Sequence, residues 1–289
     1  MAKTINEGFT ILHGRLTPNK VETDAARSHR KSINDCLVRV FGITNFFRTG
    51  STGSGTSVCN YSDTDYFAVI PSSSMFHNST MMLNHIKDIL KITFPKTNIY
   101  VDSPAVVIPF GTLEVENTEV VPAKIVDFKN GNTIYEIPNG YGGWMKSSPL
   151  AHNSFINYQD ARLSKKAKPL IRFIKAWKYY NSVPLKSFFI EMFIFNYLRS
   201  ISSIVYSIDI KIIFERLYYS NLVDIEDPTG ISGMISPCQY EFQKEDTKSK
   251  ILSGYTRTKF AREKEEEGNY SDAFYWWNEF FNKKFPSYY

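Results

Sequence analysis

Residues 49–70 read TGSTGSGTSVCNYSDTDYFAVI, and this stretch decides the fold. It starts with a turn of small residues, whose backbone N–H groups can approach an anion closely. It ends in an apolar strand that begins with two acids two residues apart, Asp63 and Asp65. Side chains alternate along a strand, so both carboxylates are predicted to point to the same face.

Two neighbouring carboxylates repel each other unless a cation lies between them. A hard divalent ion such as Mg²⁺, which prefers oxygen ligands, is the expected partner. A phosphate-binding turn beside a metal-binding acid pair is typical of phosphoryl or nucleotidyl transfer. A Gly-Ser turn alone, or an Asp-x-Asp strand start alone, is common in proteins without such a site, and it is their combination that favours a nucleotidyltransferase.

The composition favours a folded enzyme of the cell interior. Of the 289 residues, 43% are hydrophobic and 15% aromatic, which excludes a globally disordered chain. Lys and Arg exceed Asp and Glu by 34 − 29 = 5, a mild excess that fits a small anionic substrate better than long nucleic acid. The three cysteines form no disulfide framework, and no signal core or membrane-length apolar run is present. We therefore expect a cytoplasmic protein without membrane contact.

The apolar periodicity predicts an α+β chain whose first half alternates helices and strands and whose second half is helical. Gly42 is predicted to end the first helix and Gly111 to form a turn between two strands. In the first half, helices are predicted over 21–41 and 81–94, strands over 45–48, 100–110, 113–126 and 133–137, and a long surface loop over 138–160. In the second half, helices are predicted to start near Pro169 and at a Ser187 cap, and to cover 208–222, 243–267 and 271–283.

Glu119 is an acid in an otherwise apolar predicted strand. Burying a carboxylate without a partner costs free energy, so a buried Glu119 needs a partner. A metal ion shared with Asp63 and Asp65 would supply that partner. The alternative interpretation is an exposed position on the strand.

The densest basic segment of the chain spans residues 165–178. On the predicted helix, Lys168, Arg172 and Lys175 follow one another at four- and three-residue spacing, so they share a face. Such a face is usually solvated. Beside a triphosphate, one or two of these cations would neutralise the β- and γ-phosphates, and Lys175 is the residue that we predict for this role.

With these residues in place, the sequence resembles the bacterial CD-NTases, the cGAS/DncV-like, SMODS-type nucleotidyltransferases of the polymerase-β-like superfamily. The resemblance covers nearly the whole chain. Its motifs are Gly50-Ser51 with Gly55-Thr56, Ser62-Asp63-x-Asp65, residues 104–110, 119–123 and 169–178, Ser187 with Glu191, residues 227–230, and the end from Trp277. Each motif alone also fits other members of the superfamily, and the combination is specific.

The resemblance implies a two-lobed α+β enzyme. Residues 1–160 would form a nucleotidyltransferase core, a mixed sheet with helices that includes an N-terminal helix, and residues 161–289 a helical nucleotide-binding lobe. Asp63, Asp65 and Glu119 would be the catalytic acids and would ligate two Mg²⁺ ions, for which Mn²⁺ would be a substitute. Many relatives carry Asp where this chain has Glu119, but the longer side chain still reaches a metal.

The resemblance also implies how a nucleotide is held. The donor triphosphate would contact Gly50, Ser51, Lys175 and Ser187, and Phe188 would stack on a base. Some relatives carry Tyr at the position of Phe188, so this chain lacks the hydroxyl that they have there.

The implied function is synthesis of a cyclic di- or trinucleotide from ATP, GTP or other NTPs. The product would act on a separate effector protein in anti-phage, CBASS-type signalling, with regulatory partner proteins in some relatives. The chain carries no inserted Cys/His cluster, so the zinc-bearing DNA-sensing element of the animal synthase is absent.

Two alternatives stay open at this point. A polymerase-β-like transferase that adds nucleotides to RNA or protein would want an extended basic track, for which the scattered charges give weak support. A non-catalytic nucleotide-binding relative predicts the loss of an acid, whereas all three acids are present.

Overall fold

The structure is a computed structural model that describes residues 2–17, 20–110 and 116–289, without the side chains of residues 20–28 and 116. The chain packs into two compact units. The first, called here the sheet unit, comprises residues 18–154 and 231–233. The second, the helical unit, comprises residues 1–17, 155–230 and 234–289.

The sheet unit contains strands and helices in alternation. Its elements are α2 (Lys20–Phe41), β1 (Asn45–Arg48), α3 (Gly50–Ser54), β2 (Thr64–Val69), α4 (Ser79–Thr93), β3 (Tyr100–Asp102), β4 (Ala105–Phe110), β5 (Glu116–Lys129), β6 (Asn132–Pro138) and β7 (Trp144–Ser147). Strands β1 to β5 lie in the order β1-β2-β5-β4-β3, and β6 and β7 extend the sheet from β5. The pair β2–β5 is parallel and the other pairs are antiparallel.

The two faces of the sheet carry different residues. On one face, Tyr66, Val106 and Val120 form a core with the apolar stripes of α2 and α4. On the opposite face, Phe67 and Val121 pack in a second apolar cluster. Because side chains alternate along a strand, Asp65 and Glu119 lie on this second face.

The helical unit begins with α1 (Ile5–Leu16), which the sequence interpretation did not predict. Its Phe9 ring lies 5.1 Å from that of Phe173 and 5.0 Å from that of Trp277, between ring centroids. The other elements are α5 (Pro149–Arg162), which crosses from one unit to the next, α6 (Ala167–Tyr180), α7 (Ser187–Leu198), α8 (Tyr206–Tyr219), β8 (Ile225–Glu226), β9 (Met234–Ile235), α9 (Gln243–Glu266) and α10 (Tyr270–Phe280).

The division between the units differs from the predicted boundary at residue 160. Residues 155–160 belong to the helical unit, and so do residues 1–17, which the predicted core included, whereas the predicted helix over 21–41 lies in the sheet unit as expected. The aromatic packing of Phe9 explains the second difference, since contacts between large rings contribute strongly to a core. Sequence periodicity does not identify the partner of a helix.

Most predicted elements are confirmed within a few residues, including β1 over residues 45–48 and Gly42, which follows α2 with φ +64°. The predicted loop over 138–160 is wrong, because β7 and most of α5 lie there. Its Gly residues and Asn139 form the turn between β6 and β7, where Asn139 Oδ1 accepts from the N–H groups of Tyr141 and Gly143 at 2.9 and 3.1 Å.

Two further predictions need correction. The strand predicted over 100–110 is two strands, β3 and β4, separated by a turn at Ser103–Pro104. Ser187 is the first residue of α7 rather than its N-cap, which is Lys186. The predicted turn at Gly111 lies outside the described residues. None of the described helices is long and apolar enough to cross a membrane.

Candidate active site

The sheet register brings the three predicted acids together. Asp63 directly precedes β2, and Asp65 is the second residue of that strand. Asp65 pairs with Glu119 of the parallel strand β5. Parallel partners present their side chains on the same face, and neighbouring strands lie about 4.8 Å apart. The prediction that Glu119 belongs with the acid pair therefore agrees with the backbone register.

The electrostatics show that these carboxylates act on one another. Burial is the largest cause of a raised Glu119 pKa, and the charges of Asp65 and Asp63 and a hydrogen bond to Asp65 add to it. Together they raise the pKa of Glu119 from 4.5 to about 9. At neutral pH Glu119 therefore holds a proton. A like-charged cluster of this kind favours binding of a cation, which would displace that proton.

The donor set fits a hard divalent cation, since it consists of carboxylates on one face of two adjacent strands. Within the described part of the chain, no three His, Cys, Asp or Glu side chains are already close enough to hold a metal ion. Metal binding at these acids therefore requires rotation of their side chains and loss of the proton from Glu119.

The predicted small-residue turn is a single helical turn, α3, and it is tied to the start of β2. The backbone N–H of Thr49 donates to the carbonyl oxygen of Asp65 at 2.9 Å, and the Thr52 hydroxyl donates to that of Asp63 at 3.1 Å. Gly50 and Ser51 are the first residues of α3. The first N–H groups of a helix have no partner within it, so they suit an anion.

Gly50 is required at its position for two reasons. Its φ of +55° lies in the left-handed region, and a Cβ built on it would overlap the carboxylate of Asp65. The close approach of the Gly50 backbone to Asp65 places the first turn of α3 directly beside the acids.

Lys175 lies inside the helical unit. Its side chain is 0% exposed, and its Nζ donates to Glu191 Oε1 at 3.0 Å. An ammonium group has three N–H donors. Among the described residues Glu191 is its hydrogen-bond partner, so the buried ammonium has donors left for a further acceptor.

Ser187 and Phe188 begin α7 on the same unit. The Nζ of Lys178 donates to the Ser187 hydroxyl oxygen at 2.9 Å, one helical turn along α6 from Lys175. The ring of Phe188 is 38% exposed. An exposed aromatic ring on the first turn of a helix is suited to stacking on a planar ligand.

The other cations of the basic face have protein partners. Lys168 Nζ donates to Asn157 Oδ1 at 2.7 Å, and Arg172 Nη1 lies 2.8 Å from His13 Nε2. The three cations that were predicted to share one helix face therefore contact different partners. Of the three, Lys175 is completely buried and has a carboxylate partner.

Sequence interpretation missed the roles of two residues. Glu191 lies four residues after Ser187, a helical spacing that places both on one side of α7. Asn117 lies two residues before Glu119, a strand spacing that places both on one face of β5. The spacing was available in the sequence, whereas the contact of Glu191 with Lys175 became known only from the packing.

Comparison with known proteins gives a family and a curated relative. The family model "Second Messenger Oligonucleotide or Dinucleotide Synthetase domain" matches residues 3–159. A probable cyclic nucleotide synthase of Bacillus cereus (strain VD146) is 24% identical over 251 residues, covering 82% of this chain and 75% of the relative.

Solved structures share the fold at low sequence identity. CdnC of E. coli MS115-1, solved with ATP, has a TM-score of 0.74 at 16% identity and covers 97% of this chain and 98% of its own. Vibrio cholerae DncV cyclic AMP-GMP synthase, solved with the linear intermediate pppA(3′,5′)pG, has a TM-score of 0.75 at 16% identity, covering 96% and 94%. A complex of CdnC with HORMA-deltaN has a TM-score of 0.71 at 16% identity, covering 95% of each chain.

Proposed function

On the premise that this chain belongs to the second messenger oligonucleotide or dinucleotide synthetase family, we propose that it makes a cyclic di- or trinucleotide from NTPs by two-metal catalysis. Family membership makes it a bacterial CD-NTase and a nucleotidyltransferase of the cyclic oligonucleotide synthase class. The observation that carries the proposal is the pairing of Asp65 with Glu119 on adjacent parallel strands, where the charge of Asp63 also acts on Glu119.

In this proposal Asp63, Asp65 and Glu119 hold two Mg²⁺ ions, for which Mn²⁺ can substitute. When bound, the ions would lower the pKa of the acceptor hydroxyl and stabilise the pyrophosphate leaving group. Glu119 must lose its proton before it can ligate. Because burial and the charges of Asp65 and Asp63 hold that proton on Glu119, the arrival of a cation and the release of the proton are coupled.

The sheet unit would also bind the triphosphate. We propose that the first N–H groups of α3, at Gly50 and Ser51, donate to phosphate oxygens. The hydrogen bonds from Thr49 and Thr52 to the backbone of Asp65 and Asp63 support this, since they fix α3 relative to the acids. A nucleotide held there would have its phosphates next to the metal-binding carboxylates.

The helical unit carries the other residues predicted to bind nucleotide. We propose that the remaining donors of Lys175 and the hydroxyl of Ser187 bind phosphate oxygens. Phe188 would stack on a base, an interaction that tolerates different bases. Glu191 would hold the Lys175 ammonium in a fixed orientation, because an ammonium on a flexible stem otherwise loses side-chain entropy on binding.

The product is proposed to act on a separate effector in anti-phage signalling within the cytoplasm. ATP is a proposed substrate, because the CdnC structure contains it. A regulatory partner protein is also proposed, because CdnC has been solved in complex with HORMA-deltaN. The fold that this chain shares with CdnC supports this proposal.

Release of pyrophosphate tests the proposed chemistry. We expect the protein with NTPs and Mg²⁺ to release pyrophosphate, and Asp65→Asn to reduce the rate at least about a hundredfold because it removes a metal-ligating charge. The matched control is Asp127→Asn, which changes an exposed acid further along β5 and is expected to leave the rate unchanged. Release of orthophosphate instead of pyrophosphate would contradict nucleotidyl transfer.

A further inference from the structure

Asn117 is a polar residue on the same face of β5 as Glu119, and its side-chain oxygen is unsatisfied within the described part of the chain. Its Oδ1 is buried and has no hydrogen-bond partner among the residues that the structure describes. Buried polar atoms without a partner are rare, and each one calls for a physical reason. A structural role does not explain this oxygen, since it stabilises nothing by a hydrogen bond.

The register places Asn117 within the group of acids. Thr64 of β2 pairs with Thr118 of β5, and Asp65 pairs with Glu119. The residues directly before this pairing are Asp63, which precedes β2, and Asn117 of β5. Asn117 and Glu119 share a face because side chains alternate along a strand. Glu119 therefore has Asp65 about 4.8 Å away across the strands and Asn117 about 6.6 Å away along β5.

We propose that Asn117 is a fourth oxygen ligand of the divalent cation, direct or through a water molecule, beside Asp63, Asp65 and Glu119. This inference rests on the proposed function, because it uses the same cation. An amide oxygen is an ordinary ligand of Mg²⁺ and Mn²⁺. The amide oxygen also adds a metal ligand without adding negative charge to a site where the carboxylates already repel one another.

The alternative role for Asn117 is donation of its amide N–H groups to the carboxylate of Asp63. The two roles predict opposite effects of Asn117→Asp. A carboxylate retains an oxygen ligand and adds negative charge, so the metal role predicts equal or tighter cation binding. A carboxylate cannot donate a hydrogen bond, so the donor role predicts repulsion from Asp63 and weaker binding.

Titration of the nucleotide-free, full-length protein with Mn²⁺, followed by electron paramagnetic resonance, tests the proposal. We expect Asn117→Ala to weaken Mn²⁺ binding about tenfold and Asn117→Asp to bind at least as tightly as the unchanged protein. Ser103→Ala is the matched control, because the Ser103 hydroxyl is another buried, unpartnered oxygen of the sheet unit. That variant is expected to bind Mn²⁺ normally.

Thermal unfolding in the absence of metal separates a ligand from a structural group. Removing an oxygen that has no partner costs little stability, so the melting temperature of Asn117→Ala should stay near that of the unchanged protein. A large fall in melting temperature for Asn117→Ala, or unchanged Mn²⁺ affinity, would overturn the proposal. Asp65→Asn distinguishes a wrong role for Asn117 from a wrong metal site. If Asp65→Asn also leaves the Mn²⁺ affinity unchanged, the proposed metal site itself is wrong.

Discussion

At the residue scale, the proton on Glu119 governs how the candidate site responds to pH. The pKa of Glu119 is raised from 4.5 to about 9 by burial and by the charges of Asp65 and Asp63. A carboxyl with a raised pKa binds a proton more tightly in the folded than in the unfolded protein. Its contribution to stability is therefore present below about pH 4.5 and is lost as the pH rises through about 9.

We predict that the metal-free protein loses thermal stability between about pH 5 and about pH 9, and that Glu119→Gln removes part of this dependence. Glutamine does not titrate, so it cannot contribute to the slope. The measurement is the melting temperature in a chelating buffer across this range, for both proteins. Identical slopes would show that Glu119 is ionised in the folded state at neutral pH.

Gly50 provides a second test at the residue scale. We predict that Gly50→Ala reduces activity at least about a hundredfold, because its Cβ would displace the carboxylate of Asp65. The control is Gly42→Ala, which has a similar φ of +64° but no atom within 4 Å of the added Cβ. Both variants should lose about 1 kcal/mol from backbone strain, so a matching loss of activity in the control would contradict the account.

At the scale of elements, the sequence predicted the parts of the site that depend on local pattern. The alternation of Asp63 and Asp65, the apolar strand after them and the Gly42 helix end follow from short-range rules, and the structure confirms the elements that carry them. The turn at Ser103–Pro104 was missed because it is only two residues long and lies between two valine-containing stretches, residues 100–102 and 105–110. The hydrogen bond from Lys178 to Ser187 was missed because it joins two helices.

The α6–α7 pair carries a prediction of its own. Lys175→Met should raise the KM for ATP at least about tenfold with a smaller change in kcat, because it removes a charged contact to the phosphates. Removing one partner of a buried ion pair also destabilises a protein, by about 3–5 kcal/mol.

The double variant Lys175→Met/Glu191→Leu separates these effects, because it replaces the whole pair by apolar side chains. It should recover stability but keep the raised KM. Lys168→Met is the matched control on the same helix, since Lys168 contacts Asn157. An unchanged KM in the double variant would contradict the role proposed for Lys175.

At the scale of the whole molecule, the fold class was predictable and the division into units was not. Helices after residue 160 and strands before it are visible in the apolar periodicity. The assignment of α1 to the helical unit depends on Phe9 meeting Phe173 and Trp277, which lie more than a hundred residues away in sequence. Such long-range packing leaves no local signal.

The central claim is that one protein both joins nucleotides and closes them into a ring. The most direct test is incubation of the purified protein with ATP, GTP, CTP and UTP and Mg²⁺, followed by phosphatase treatment and mass spectrometry, with Asp63→Asn in parallel. The account predicts a phosphatase-resistant cyclic di- or trinucleotide from the unchanged protein and none from the variant. Nucleotides added to RNA or protein, or NTP bound by both proteins without any product, would contradict it.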